Sequence, residues 1–173
     1  MEKDVEPAPK EALRGTARRS RYEGHFRPNP DGALRSVTEA LQIAARHGIH
    51  FDPAEYRVVV DPVPRADYAS YFDLGHVAPG STVPWSRITT RDERILIRLQ
   101  EHTLASDEAI LGALAHEYCE TQALKAEYER SGWRISAEHL RRLVESSDIS
   151  LHNAAWDFAD EIIDRLRAEG RAP

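Results

Sequence analysis

His116, Glu117 and Glu120 form an H-E-x-x-E pattern within the stretch 106–129, SDEAILGALAHEYCETQALKAEYE. Imidazole and carboxylate are donors to divalent metal ions, zinc above all. A helix turns by about 100° per residue, so side chains four positions apart point the same way. His116 and Glu120 therefore offer two donors from one helix face. Glu117 is set to one side, where a carboxylate can reach a water held by that pair and accept its proton. The chemistry implied is metal-assisted hydrolysis, in which the ion acidifies a water and polarises a carbonyl. The plain alternative is a solvated helix face, with Glu120 paired to Lys125 or another base.

Such an arrangement needs a long helix, and the stretch is built for one. It is rich in Ala, Leu, Glu, Gln and Lys and has no proline. Ser106 is a good N-cap, Asp107 and Glu108 favour the positive end of the helix dipole, and Ser131-Gly132 is a plausible stop. Ala109, Gly112, Ala113 and Ala123 share the face of His116 and Glu120 and leave room for an ion and a substrate, or for another backbone. The pattern is that of H-E-x-x-H metalloproteases with glutamate in place of the second histidine.

A hydrolytic zinc takes three protein ligands and leaves a fourth place for water. After Glu120 the chain offers two histidines, His139 and His152. His139 falls in a short helix whose Glu138, Arg141 and Arg142 read as solvent-facing. His152 lies near the start of the last helix, on the face of Ala155, Trp156 and Ala159, and so points inward. His152 is the expected third ligand of one zinc ion; a core or helix-end histidine is the structural alternative. Asp157 and Asp160 are candidates for hydrogen-bonding a ligand histidine and fixing its orientation, with a solvated acid as the alternative. His76, after a strand and beside glycine, is a candidate for oxyanion contact.

Composition narrows the setting. A chain of 173 residues with 41% hydrophobic content can form one domain with its own core. Cys119 is the only cysteine, which excludes an intrachain disulfide and any zinc site built on several thiolates. The net charge of −6 argues against general nucleic-acid binding. No apolar run is long enough to span a bilayer, and the first residues lack the apolar core of a signal peptide. The expected location is the cytoplasm, or a target cell into which a larger effector delivers the domain.

Residues 1–30, with several prolines and the basic cluster Arg14, Arg18, Arg19 and Arg21, read as a flexible tail or linker. The folded domain is expected over 31–173. Asp31 is the expected cap of a first helix to about His47, with Leu34, Val37, Leu41, Ala44 and Ala45 as its buried stripe. Strands are expected at 56–60, YRVVV, at 69–74, ASYFDL, and at 94–100, RILIRLQ, with 77–86 as a loop. Ser136 caps a short helix to about Val144, and Ser147 or Ser150 opens a last helix to about Ala168. The fold class is α+β: a small, mostly antiparallel sheet on the H-E-x-x-E helix, then a helical C-terminal part.

Two stretches carry a resemblance. SDEAILGALAHEYCE and, after a spacer beginning ISAEHL, LHNAAWDFAD resemble the zincin-like C-terminal domains of bacterial polymorphic toxins. There an H-E-x-x-E helix is followed by a Leu-His-(Asp/Asn)-x-Ala-Trp-Asp segment. The likeness spans about Arg94 to Ile163. It implies a zincin-like fold and a metallopeptidase effector acting on a protein or peptide, neutralised by an immunity protein. Residue by residue it points to His116, Glu117, Glu120 and His152, and draws attention to Asp157. Three other classes stay open. A non-catalytic zincin-like binding or regulatory module would use the helices as a partner surface. A metal-dependent nuclease would draw on the basic cluster. A non-haem iron site shares the two-histidine, one-carboxylate ligand set, but normally sits in a β-barrel.

Overall fold

The computed structural model describes residues 20–72, 74–145 and 150–170. Arg14, Arg18, Arg19 and Ser147 lie outside the described residues. The architecture is α+β. No helix among the described residues is long and apolar enough to cross a membrane.

Helix α1 (Val37–Arg46) begins later than expected. Ser36, not Asp31, is its N-cap, closing a capping box with Glu39. Asp31 instead accepts from Ala33 N at 3.1 Å and pairs with Arg35. The buried stripe shifts accordingly to Ala40 and Ala44, leaving Leu34 exposed ahead of the helix.

Strand β1 (Tyr56–Val60) pairs in parallel with β4 (Ile95–Leu99), Tyr56 opposite Ile95 and Val60 opposite Leu99. The two-residue β2 (Ala69–Ser70) joins the other edge of β4 in antiparallel sense. The three-stranded sheet is thus mixed: its longest pairing is parallel, and the other pairings among the described strands are antiparallel as expected. Alternation identifies a strand but not its direction, and the connection 61–94 is long enough for the return a parallel pair needs. Ile95, Ile97 and Leu99 of β4 are buried as their spacing predicts. The stretch 69–74 leaves the sheet after Ser70 and tightens into a 3₁₀ turn at Leu74–His76. The expected loop at 77–86 contains β3 (Thr82–Pro84) and the start of a one-turn helix, α2 (Trp85–Ile88). Strand β3 pairs with β5 (Arg134–Ser136) in a second, antiparallel sheet.

Helix α3 (Asp107–Arg130) is the axis of the molecule. Ser106 Oγ caps it by accepting from Ala109 N at 3.1 Å. Ile110, Leu111, Leu114 and Ala115 are buried in one core with β1, β4, α1 and the last helix. Leu124 and Tyr128 enter a second core with Val83, Ile135 and α4 (Ala137–Glu145). Helix α5 (Ser150–Glu169) lies along α3 and forms its most extensive helix contact.

Residues 20–30 are packed onto this pair, although composition alone reads them as tail. Ser20 Oγ donates to Asp160 Oδ1 at 2.7 Å, and Arg27 N donates to Glu108 Oε1 at 2.7 Å. Asn29 is buried and accepts from Asp107 N at 2.8 Å. Phe26 lies over Gly112, where an added Cβ would stand 3.3 Å from Phe26 Cε1 and 3.0 Å from Ile163 Cδ1. The space left by this small residue is filled by protein, not reserved for an ion.

Candidate metal centre

Helix α3 presents His116 and Glu120, one turn apart, to the face where α5 presents His152 and Trp156, also one turn apart. His116 Nε2 is 3.2 Å from Glu120 Oε2 and 3.3 Å from His152 Nδ1. His152 Nδ1 is 3.4 Å from Glu120 Oε2. Three donor atoms, two on α3 and a third 36 and 32 residues further along the chain on α5, thus form a nearly equilateral triangle. Ligands on a tetrahedral zinc at about 2.0–2.1 Å stand about 3.3 Å apart. The triangle has the dimensions of one face of that coordination polyhedron, so the donor set fits the ion in chemistry and in spacing.

The surroundings hold these atoms in place. Trp156 stacks on the His116 ring, centroids 4.2 Å apart and planes 28° from parallel. His116 Nδ1 and Glu117 Oε1 are 3.2 Å apart. With the shared proton on Nδ1, the lone pair of Nε2 faces the triangle, as in the carboxylate–histidine pairs that fix metal-ligand tautomers. Tyr71, just after β2, donates from its hydroxyl to Glu120 Oε1 at 2.9 Å. His116 and Glu120 are buried, whereas the His152 side chain is 26% exposed and forms the open edge.

The charges are uneven. Burial pushes the Glu117 carboxyl above its ordinary range, against the pull of His116, and its Oε2 is buried with no hydrogen-bond partner among the described residues. Burial also acts to raise Glu120, but the His152 hydrogen bond and the two histidines outweigh it, leaving Glu120 below the ordinary range. For His116, burial favours the neutral ring but is outweighed by Glu117 and Glu120, which raise its proton affinity. The ion pairs shown by Glu117 and Glu120 are with these histidines. Two buried carboxylates whose charged neighbours are imidazoles make a pocket selective for a cation, a proton or a metal ion. Neighbouring carboxyls driven apart in this way suit different tasks, one as a permanent anion and one as a proton acceptor.

His116, Glu117, Glu120 and His152 thus meet in one place. Asp160 does not join them: it accepts from Ser20 Oγ and from Arg21 N, further along α5. Asp157 is half-buried on α5 and engaged in contacts of its own. His139 is paired with Glu127 at 3.0 Å, away from the triangle. The side chain of His76 falls outside what the structure describes. Two residues at the site were not singled out in the sequence for what they do here. Trp156 reads there as a member of an apolar stripe, and Tyr71 as one aromatic in a strand-like run; neither spacing announces a contact with a distant helix. Compared with protein-family models, with curated proteins and with solved structures, the chain matches none, so the functional reading rests on this geometry and on the two motifs.

Proposed function

We propose that the protein is a zinc-dependent hydrolase of the metallopeptidase kind, with His116 Nε2, Glu120 Oε2 and His152 Nδ1 as the protein ligands. The observation that carries the reading is the triangle of donor atoms with edges of 3.2, 3.3 and 3.4 Å. When bound, zinc supplies a water of lowered pKa and a Lewis acid for a substrate carbonyl. Glu117, its carboxyl raised by burial and its Oε2 without a partner among the described residues, takes the proton of the attacking water and returns it to the leaving amine. Trp156 keeps the His116 ring in plane and shields it from bulk water. The exposed edge of His152 is the side from which a peptide reaches the centre. The likeness of the two motifs to polymorphic-toxin domains supports an effector that cleaves a protein and is held in check by an immunity protein.

The test starts from protein purified without added metal. Elemental mass spectrometry should find near-stoichiometric zinc in the native chain and little in His116→Ala or His152→Ala. Glu117→Gln should keep the zinc and lose proteolysis of a substrate that the native chain cleaves. One observation favours a second reading, a non-catalytic module with a structural metal: Glu117 Oε1 is engaged with His116 Nδ1. Under that reading Glu117→Gln leaves function intact, and the same variant separates the two.

A further inference from the structure

We infer that Tyr71 is a positioning residue for the metal ligand Glu120, holding one carboxylate oxygen so that the other alone serves the ion; this rests on the metal-centre reading above. The two oxygens of Glu120 have different partners. Oε1 accepts from the Tyr71 hydroxyl at 2.9 Å, whereas Oε2 stands 3.2 Å from His116 Nε2 and 3.4 Å from His152 Nδ1. A carboxylate free to rotate offers either oxygen, or both, to a cation; one tied at Oε1 is a single-oxygen ligand with a fixed direction. Outer partners of this kind orient ligands and raise metal affinity.

The backbone around Tyr71 is fastened on both sides, as a positioning group requires. Before it, Ala69 and Ser70 are in register with Leu99 and Arg98 of β4. After it, Arg141 Nη2 donates to Leu74 O at 3.3 Å and to Val77 O at 2.9 Å. The Tyr71 ring also packs against both cores. Its hydroxyl therefore arrives at Glu120 from a braced segment of a different part of the chain, and α3 alone does not set the direction of the carboxylate.

The experiment measures zinc affinity of metal-free protein by competition with a chromophoric chelator, for native, Tyr71→Phe, Glu120→Gln and the double variant. Phenylalanine keeps the ring and its packing, so the melting temperature of metal-free Tyr71→Phe should match the native one. Its zinc affinity should fall about 10- to 100-fold. In the Glu120→Gln background the same change should cost nothing further, because the phenol then has no carboxylate to direct. Cobalt(II) in place of zinc gives a second readout. Releasing Oε1 lets Glu120 chelate, and the visible absorption should weaken as coordination expands from four to five. Unchanged zinc affinity in Tyr71→Phe, or an equal loss in both backgrounds, overturns the role of Tyr71 and leaves the metal centre standing. A large fall in the metal-free melting temperature also overturns it, in favour of packing. A native chain that binds no zinc overturns both.

Discussion

His152 is the sole member of the triangle contributed by α5, and its removal should uncouple zinc from folding stability. A ligand that binds only the folded chain stabilises it by RT ln(1 + [L]/Kd), about 2.7 kcal/mol at 100 times Kd. For a chain of 173 residues, each kcal/mol is worth about 2–4 °C, so the native melting temperature should rise by about 5–11 °C at that zinc concentration. His152→Ala leaves two donors on α3, and losing a ligand costs at least the roughly 100-fold that losing an outer partner can. The same zinc then stands near Kd and contributes about 0.4 kcal/mol, or about 1–2 °C. Because the His152 side chain is partly exposed, its truncation should leave the metal-free fold close to native. The assay is calorimetry or dye-monitored melting with zinc and with chelator. A proton competes with zinc for His116, whose proton affinity is raised, so the native zinc effect should fade as pH falls. A zinc-induced rise of equal size in His152→Ala would refute the three-ligand geometry.

Two further outcomes concern the frame around the site. Arg167 donates to both oxygens of Glu108 at 2.8 Å and Arg27 N adds a third bond; against the opposing effect of burial, these hold the Glu108 carboxyl below its ordinary range. The stability this adds is complete above the ordinary glutamate value of about 4.3 and is lost as pH falls through the lowered one. Glu108→Gln should therefore cost about 2–3 kcal/mol at pH 7 and lose less on acidification than native, read by denaturant titration at several pH values. Gly112→Val should destabilise by about 1–3 kcal/mol, because Ile163 and Phe26 already stand where its methyl groups would go. Gly112→Ala should be nearly neutral by the same titration, its crowding offset by about 1 kcal/mol of helix propensity.

What could be read from the sequence follows from which signals are local. Ser106 and Ser136 announce helix starts because a cap is decided within three residues; Ser136 Oγ does accept from His139 N, at 3.1 Å. Ile95, Ile97 and Leu99 announce a half-buried strand because alternation is a property of one strand. The inward face of His152 could be read from its neighbours on α5. Its meeting with His116 depends on how two helices cross, which periodicity does not encode. Tyr71 is the clearest case of a hidden contribution: nothing in ASYFDL marks one phenol as the partner of a carboxylate on another helix. The parallel pairing of β1 and β4 was hidden for a similar reason, since it is set by the route of 61–94 rather than by either strand. At residues 20–30, proline content masked Phe26, Asn29 and two backbone donors whose partners lie far along the chain.

That segment decides where the smallest independent piece of this protein can begin. A chain shortened to start at Asp31 would retain Tyr71, His116, Glu117, Glu120 and His152. It would also strip Phe26 from Gly112, Arg27 from Glu108, and Ser20 and Arg21 from Asp160. Asp160, buried in the folded chain, would lose both its Ser20 and Arg21 donors, and buried Glu108 would keep Arg167 but lose the Arg27 N–H. Any cleavage site, affinity tag or carrier domain joined to this protein should therefore sit upstream of Ser20, leaving the eleven residues from Ser20 to Pro30 as part of the working unit.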